Sequence, residues 1–202
     1  AGAKGPAVLQ RLRDPEVAWI FASIFFTVLA HSGLYAFFSL YLVALGYDKS
    51  AVGALWALAA AVEIGFFWTQ GRWHALLAPE RWLQVVAVAT TLRFAAIAAG
   101  GRWPLVLVAA QLSHAVTFAA HHAACIALVH KHFPGQLRGR GQALYTILGY
   151  GISGLLGGVG GGWIIEHLGF AALFWIAAAT GLVALGCSRR VLACQARTAG
   201  VR

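Results

Sequence analysis

The sequence has no methionine, only three cysteines and only six acidic residues among its 202 positions. Charged side chains make up 10% of the chain, against about 25% in ordinary soluble domains, and 60% of the chain is hydrophobic. A water-soluble globule of this size would lack the polar residues to cover its own surface. This composition excludes a soluble enzyme, a nucleic-acid-binding domain and a disordered tail. Three cysteines make no disulfide framework. Without a methionine the printed chain does not begin at a translation start, so we expect part of a longer protein.

Six apolar runs of about 20 residues or more follow one another along the chain, separated by short gaps. An α-helix needs this length to cross a hydrocarbon layer about 30 Å thick. We therefore predict an all-α membrane protein with spans at 17–45, 51–70, 81–99, 104–130, 141–164 and 170–188. Pro104 is predicted to open the fourth helix and Ser50 to cap the second. Residues 1–16 are expected to be a cytoplasmic linker and residues 189–202 a basic cytoplasmic tail.

The basic residues are distributed unevenly between the two sides of the predicted membrane. Of the fifteen, two (Lys49 and Arg102) lie on the far side and Arg93 lies inside a span. By the positive-inside rule both termini are cytoplasmic, as in a multi-pass protein of a bacterial-type inner membrane. The net charge of +9 is therefore a topology signal and not a nucleic-acid-binding patch. The twelve residues on the side of the N-terminus are Lys4, Arg11, Arg13, Arg72, Arg81, Lys131, Arg138, Arg140, Arg189, Arg190, Arg197 and Arg202.

Ionisable residues inside the spans are few, and each costs a few kcal/mol in a bilayer, so each is a candidate for function. Counted from the span ends at about 1.5 Å per residue, Glu63, Arg93, His114 and His31 all fall near the midplane, on four different helices. We interpret them as one site. The alternative is a structural Glu63–Arg93 pair that holds two helices together.

Helical periodicity places further polar and aromatic residues on the faces that carry these groups. They are Tyr35, Trp56, Gln111, Phe118 and His121. Aromatic rings mixed with hydrogen-bonding groups are typical of a cavity for a small amphipathic solute, although plain helix packing would also explain any single aromatic residue. His122 falls off this stripe, and His130 and His132 lie at the cytoplasmic end, so these three are expected to be interfacial. Glycine pairs four residues apart in the fifth span, at 154/158, 157/161 and 158/162, indicate close helix packing.

Several short segments carry a family resemblance through their order and spacing. They are residues 31–41 (HSGLYAFFSLY), 44–47 (ALGY), 52–56 (VGALW), 62–63 (VE), 92–94 (LRF), 111–118 (QLSHAVTF) and 142–145 (QALY). Together they resemble the C-terminal six-helix half of a major facilitator superfamily transporter, in the group of 3-phenylpropionate permeases and lactose-permease-like proton symporters. The resemblance implies half of a twelve-helix fold whose two halves rock about a central cavity to give alternating access. It also implies a permease and not an enzyme, with proton-coupled uptake of a small organic acid such as an aromatic carboxylate.

In the lactose permease type, as the resemblance implies, the coupled proton is handled by a Glu, an Arg and a His with a second Glu nearby. Glu63, Arg93 and His114 match the first three of these positions. The second Glu is replaced by Thr117, which cannot carry a proton, so either Glu63 or His114 would take it. The implied substrate-binding residues are Arg93, His31, Tyr35, Trp56, Gln111 and Phe118, and the implied proton-coupling residues are Glu63, Arg93, His114 and His121. An anionic substrate that claims Arg93 would leave Glu63 without its counter-charge, so that Glu63 would bind a proton more readily.

The resemblance calls for no cofactor and no metal. The expected partners are a small-molecule substrate, protons, the lipid bilayer and the N-terminal six-helix half of the same transporter, with no nucleic acid. A sugar or nucleoside proton symporter of the same superfamily is the alternative function. Alternatives of another class are a non-transporting membrane scaffold, a haem protein that uses His31 with His114 or His121, and a rhomboid-like intramembrane protease. For the protease, residues 151–154 fit a G-x-S-G pattern, but the sixth span contains no His to activate Ser153.

Overall fold

The computed structural model describes residues 6–200, so Lys4, Arg202 and the first five positions of the predicted linker lie outside the described residues. Residues 6–200 are helical apart from short connections and contain no β-strand, which confirms the all-α class. The predicted linker contains a short helix, and the predicted tail continues the last helix as far as Gly200. The helices are α1 (Pro6–Leu12), α2 (Pro15–Ala44), α3 (Lys49–Trp73), α4 (Pro79–Gly100), α5 (Pro104–Leu112), α6 (His121–His132), α7 (Arg138–Tyr145) and α8 (Ser153–Gly200).

Two π-helical segments join neighbouring helices into longer rods. Ala115–Ala120 connects α5 to α6, and Thr146–Ile152 connects α7 to α8. The wider turn of a π-helix changes which side chains face the same way, and such segments are frequent at functional sites. Both π segments determine which side chains lie together at or near the candidate site.

Helix α8 is divided at Gly169, whose φ of 83° is a conformation that glycine adopts at little cost. The chain reverses there, because residues from both sides of Gly169 meet α2 at the same level. Gly149 lies against Ile24, and the neighbouring Ser23 donates a hydrogen bond to the carbonyl of Ala184. In the described residues, five helical stretches are long and apolar enough to cross a membrane. The last of them, Gly135–Thr198, folds back at Gly169, which makes six spans.

Side chains at the helix starts define where two of the spans begin. Pro104 is the first residue of α5, as predicted, at a position whose N–H would have no partner within the helix. Helix α3 begins earlier than predicted, because Asp48 and not Ser50 is its N-cap. The Asp48 carboxylate accepts a hydrogen bond of 2.7 Å from the N–H of Ala51.

Close packing of α8 against α2 depends on one of the three predicted glycine pairs. A Cβ added at Gly157 would collide with the side chain of Ser32, and one added at Gly161 would also meet a side chain of α2. Gly154 and Gly158 meet nothing within 4 Å. The 157/161 pair is therefore the one that lets the two helix backbones approach.

Helix α3 lies at the edge of the bundle and leaves most of its surface uncovered. Only Leu55 and Ala59 are buried on it, whereas Trp68 is 89% exposed and Ile64 is 67% exposed. Such apolar surface is unfavourable in water, so a bilayer or further protein must cover it. The inner edge of α3 faces α2 and the α5–α6 rod, and the candidate site lies there.

Candidate functional site

Three of the four predicted midplane residues form a line of contacts across three helices, which we call the Glu–His–Arg triad. The Nε2 atom of His114, between α5 and the first π segment, lies 3.7 Å from Oε2 of Glu63 on α3. On the other side of the ring, Nη1 of Arg93 on α4 donates a hydrogen bond of 3.0 Å to Nδ1 of His114. No ion pair joins Glu63 directly to Arg93 among residues 6–200, because His114 lies between them.

The hydrogen bonds of the triad determine where the imidazole carries its proton. A guanidinium has five donors and no acceptor, so Nδ1 of His114 must accept the hydrogen bond from Arg93. This network therefore assigns the ring proton to Nε2, which faces Glu63. A second proton on the ring would place an N–H against the N–H of Arg93. The imidazole is held neutral as long as this contact lasts.

Arg93 is buried behind His114, only 3% exposed, and is surrounded by neutral acceptors. Its Nη1 also donates to the hydroxyl of Thr117 at 2.8 Å, and its Nη2 donates to Oε1 of Gln111 at 2.7 Å. Gln111 is held in turn, because its Nε2 donates to the carbonyl of Leu55. Thr117, which in the sequence only marked a missing carboxylate, is thus one of the acceptors of the buried guanidinium. The positive charge is fixed in place without a carboxylate bonded to it.

An aromatic wall covers the exposed side of the triad, with Tyr35 at its centre. Tyr35 is 42% exposed, and its ring lies 6.3 Å from Trp56, 6.3 Å from His114 and 6.4 Å from Phe118. The Trp56 ring is held by a hydrogen bond of 3.0 Å from its Nε1 to the hydroxyl of Ser39. Three of the predicted substrate-binding residues (Tyr35, Trp56 and Phe118) therefore share one surface.

The other two predicted site histidines, His31 and His121, are buried. The Nδ1 of His31 donates to the carbonyl of Thr27 at 2.8 Å, and its ring meets the Phe94 ring edge-on at 5.0 Å. His121 is 3% exposed, and its Nε2 lies 3.3 Å from the sulfur of Cys125. Neither ring hydrogen-bonds to a member of the triad within residues 6–200. The His31 ring nevertheless lies 6.3 Å from the Tyr35 ring, at the edge of the aromatic wall, whereas His121 is paired with Cys125.

The π segment Ala115–Ala120 determines which rings line up after His114. In a straight α-helix each step of four residues drifts about 40° past a full turn, which would put His122 about 80° away from His114. In the structure the rings of His114, Phe118 and His122 are stacked, with interplanar angles of 10° and 15°. The expectation that His122 lies off the stripe is therefore wrong, because α-helical periodicity does not apply across the π turn.

Ser153, the candidate nucleophile of the G-x-S-G pattern, is fully buried. Its hydroxyl donates to the carbonyl of Gly149, one turn earlier in the chain. A serine in this environment presents no accessible oxygen to a substrate, so the structure gives no support to a protease site at this position.

Comparison with known proteins gives one family and one curated relative. Residues 3–176 match the model of the family described as "MFS_1 like family". The chain is also similar to a protein of Escherichia coli (strain K12) named "Probable 3-phenylpropionic acid transporter", with 28% identity over 156 residues. The aligned region covers 77% of this chain and 40% of that relative, so the chain spans less than half of the relative's length. No solved structure matches the chain.

Proposed function

Because the chain belongs to the MFS_1 like family, we propose that it is the C-terminal six-helix half of a secondary active transporter that takes up a small organic acid together with a proton. The name of the matched relative supports an aromatic carboxylate as the substrate. An N-terminal half would cover the exposed aromatic wall and complete a central cavity, and alternating access would follow from rocking of the two halves. The bias of the basic residues supports an inner-membrane protein with both termini in the cytoplasm.

The observation that carries this proposal is the charge balance of the Glu–His–Arg triad. Arg93 supplies one fixed positive charge, His114 is neutral, and Glu63 supplies one negative charge that a proton can remove. A net charge is costly in the interior of a membrane. When Glu63 binds a proton, the charge of Arg93 is left unbalanced, and the carboxylate of a substrate can balance it. Proton and anion therefore bind together and leave together, which is the coupling that a symporter needs.

The substrate carboxylate has a donor in Nε2–H of His114. Once Glu63 is protonated it is a weaker acceptor for this N–H than the charged carboxylate of the substrate, and the guanidinium of Arg93, 3.0 Å behind the ring, strengthens the donor. In this conformation Arg93 acts on the substrate through His114, whereas direct contact was expected from the sequence. Since the hydrogen bond from Arg93 holds His114 neutral, we assign the coupled proton to Glu63.

The aromatic wall supplies the apolar part of the site. Tyr35 and Trp56 are stacked with an interplanar angle of 22°, and Phe118 stands edge-on to Tyr35. A phenyl group packs well against such faces and edges. A sugar or nucleoside would also stack there, but it would leave the charge of Arg93 unbalanced, so the triad favours an organic anion.

Uptake of labelled 3-phenylpropionate by the complete transporter, with its N-terminal half, tests this proposal. We expect accumulation in membrane vesicles whose interior is more alkaline than the medium, and no accumulation once a protonophore collapses the gradient. A neutral sugar in large excess should not compete. Accumulation that survives the protonophore, or a preference for the sugar, would contradict the proposal.

A further inference from the structure

A second hydrogen-bonded group lies two helical turns beyond His114, and we call it the His122–tyrosine cluster. The Nδ1 of His122 lies 3.1 Å from the hydroxyl of Tyr145, which in turn lies 3.0 Å from the hydroxyl of Tyr150. Residues five apart in an α-helix point about 140° away from each other. The π segment Thr146–Ile152 turns Tyr145 and Tyr150 to the same side, so the cluster depends on both π segments of the chain.

Two phenyl rings separate this cluster from the Glu–His–Arg triad. Phe118 stacks on His114 at 5.1 Å and on His122 at 6.3 Å. Phe67, one turn after Glu63 on α3, meets the ring of His122 edge-on at 6.4 Å. His122 thus lies next to the triad along α3 and the α5–α6 rod, which carry Glu63 and His114, and the two phenyl rings form a thin apolar layer between them.

Beyond the two rings a pocket of about 530 Å³ opens between the ends of α3 and α6. His122 is one of its four polar lining residues, together with Gln70, His74 and His130. The volume is large enough for more than a dozen waters at about 30 Å³ each. His130 lies 3.3 Å from Nε2 of Gln142. This end of the bundle carries Arg72 and Lys131, so the charge bias places it on the cytoplasmic side.

We propose that His122 receives the coupled proton from Glu63 and passes it to the cytoplasm through this pocket. The inference rests on the proton symport proposed above. In the first step the O–H bond of the protonated Glu63 breaks, and a relaying water delivers a proton to Nε2 of His122, which leaves a carboxylate and an imidazolium. In the second step the imidazolium releases a proton from Nε2 to water in the pocket, and His122 is neutral again. The Phe67 and Phe118 rings must part for the first step, which keeps protons from leaking when they are closed.

The surroundings of His122 suit both of its protonation states. The hydroxyl of Tyr145 can accept from Nδ1–H or donate to a bare Nδ1, and Tyr150 can follow either change. The titratable groups near the ring are Tyr145 on α7 and Tyr150 on the second π segment, together with His130 on α6 and His74 directly after α3, which line the same pocket. Glu63 on α3 and His121 and Cys125 on α6 are the next nearest along these helices. None of these carries a fixed positive charge that would oppose a proton on His122.

The variant His122→Phe, made in the complete transporter, tests the route. It keeps an aromatic ring between Phe67 and Phe118 but removes both ring nitrogens. Counterflow, the exchange of labelled for unlabelled substrate at equal pH on both sides, needs no net proton release and should stay within twofold of wild type. Net uptake driven by a pH gradient should fall at least tenfold, and its dependence on internal pH should flatten. His167→Phe is the matched control, because His167 is exposed and stacks on Trp163 elsewhere in the bundle.

Equal losses in counterflow and net uptake, or no loss in net uptake, would overturn the role of His122. If His122→Phe fails to reach the membrane, Tyr145→Phe decides the question, because it removes only the hydroxyl that bonds His122. It should slow net uptake and leave counterflow unchanged, and any other pattern overturns the route. A wild-type protein with counterflow but no pH-driven uptake would contradict the symport itself, so the two failures are distinguishable.

Discussion

Replacing Glu63 by Gln removes the titratable group of the triad while keeping its size and its ability to accept from Nε2–H of His114. The Glu63 carboxylate lies 3.7 Å from this nitrogen, so a substrate carboxylate bonded to the same N–H would come within roughly 4 Å of it. Two like charges at that distance repel by about 4 kcal/mol at an effective dielectric constant near 20 and by about 1 kcal/mol in water. Because the Glu63 side chain is 29% exposed, the penalty lies between these limits, equivalent to about fivefold to several hundredfold in affinity.

The sign of the pH dependence follows from this repulsion. The anion binds the protonated form of Glu63, so its affinity is highest at low pH and falls as rising pH removes the proton. With Gln at position 63 the affinity should not depend on pH over the same range. For one proton per anion, a gradient of one pH unit is worth about 1.4 kcal/mol and supports about tenfold accumulation. The Glu63→Gln variant should reach an accumulation ratio near one and still catalyse counterflow.

Uptake into vesicles and the pH dependence of substrate affinity in counterflow measure these two effects. Glu166→Gln is the control, because Glu166 is exposed close to the Gly169 turn, and it should behave as wild type. A Glu63→Gln protein that accumulates substrate as wild type does, or whose affinity still falls with pH, would refute the assignment of the proton to Glu63.

Two further predictions follow from the packing around the triad and around α8. Arg93→Lys keeps the charge but replaces the guanidinium fork, so Thr117 or Gln111 loses a donor. A buried polar group left without a partner costs about 1–3 kcal/mol of stability. Because these bonds hold Arg93 behind His114, we expect the substrate affinity in counterflow to fall at least tenfold. An unchanged affinity would show that the charge alone matters. A Cβ added at Gly181 would lie 2.6 Å from a threonine hydroxyl and 3.1 Å from that residue's backbone nitrogen on α4. Gly181→Ala should therefore cost about 1–3 kcal/mol and lower the thermal unfolding midpoint in detergent, whereas Gly186→Ala, which meets nothing within 4 Å, should not lower it.

The depth of the candidate site could be predicted because an α-helix rises by a constant amount per residue. Counting along the spans was enough to put Glu63, Arg93 and His114 at one level, and the structure does bring these three together. Periodicity also grouped Tyr35 with Trp56, since a regular helix repeats its faces. Where a helix is regular, the sequence alone predicts both the depth of a residue and the face on which it lies.

The order of contacts within the site could not be predicted in the same way. Counting suggested a direct pair of Glu63 with Arg93, but His114 lies between them, and this depends on how three helices approach one another. The burial of Arg93 could not be predicted either, because it depends on which neighbouring helices cover that face of α4. His31 has the predicted depth of the triad and lies beside Tyr35, but its ring hydrogen-bonds to Thr27 and packs on Phe94 and does not hydrogen-bond to the triad.

Composition and hydrophobic run length were sufficient for the membrane class and the number of spans, because crossing a bilayer imposes a length and an apolar surface on every helix. The distribution of basic residues predicts that both termini are cytoplasmic, and this orientation stays a prediction. The packed helices alone revealed that His114 lies between Arg93 and Glu63 and that Phe118 stacks between the rings of His114 and His122. Both results depend on hydrogen bonds between distant parts of the chain and on two π turns. Such turns form where packing between helices favours them, and no local residue pattern predicts them.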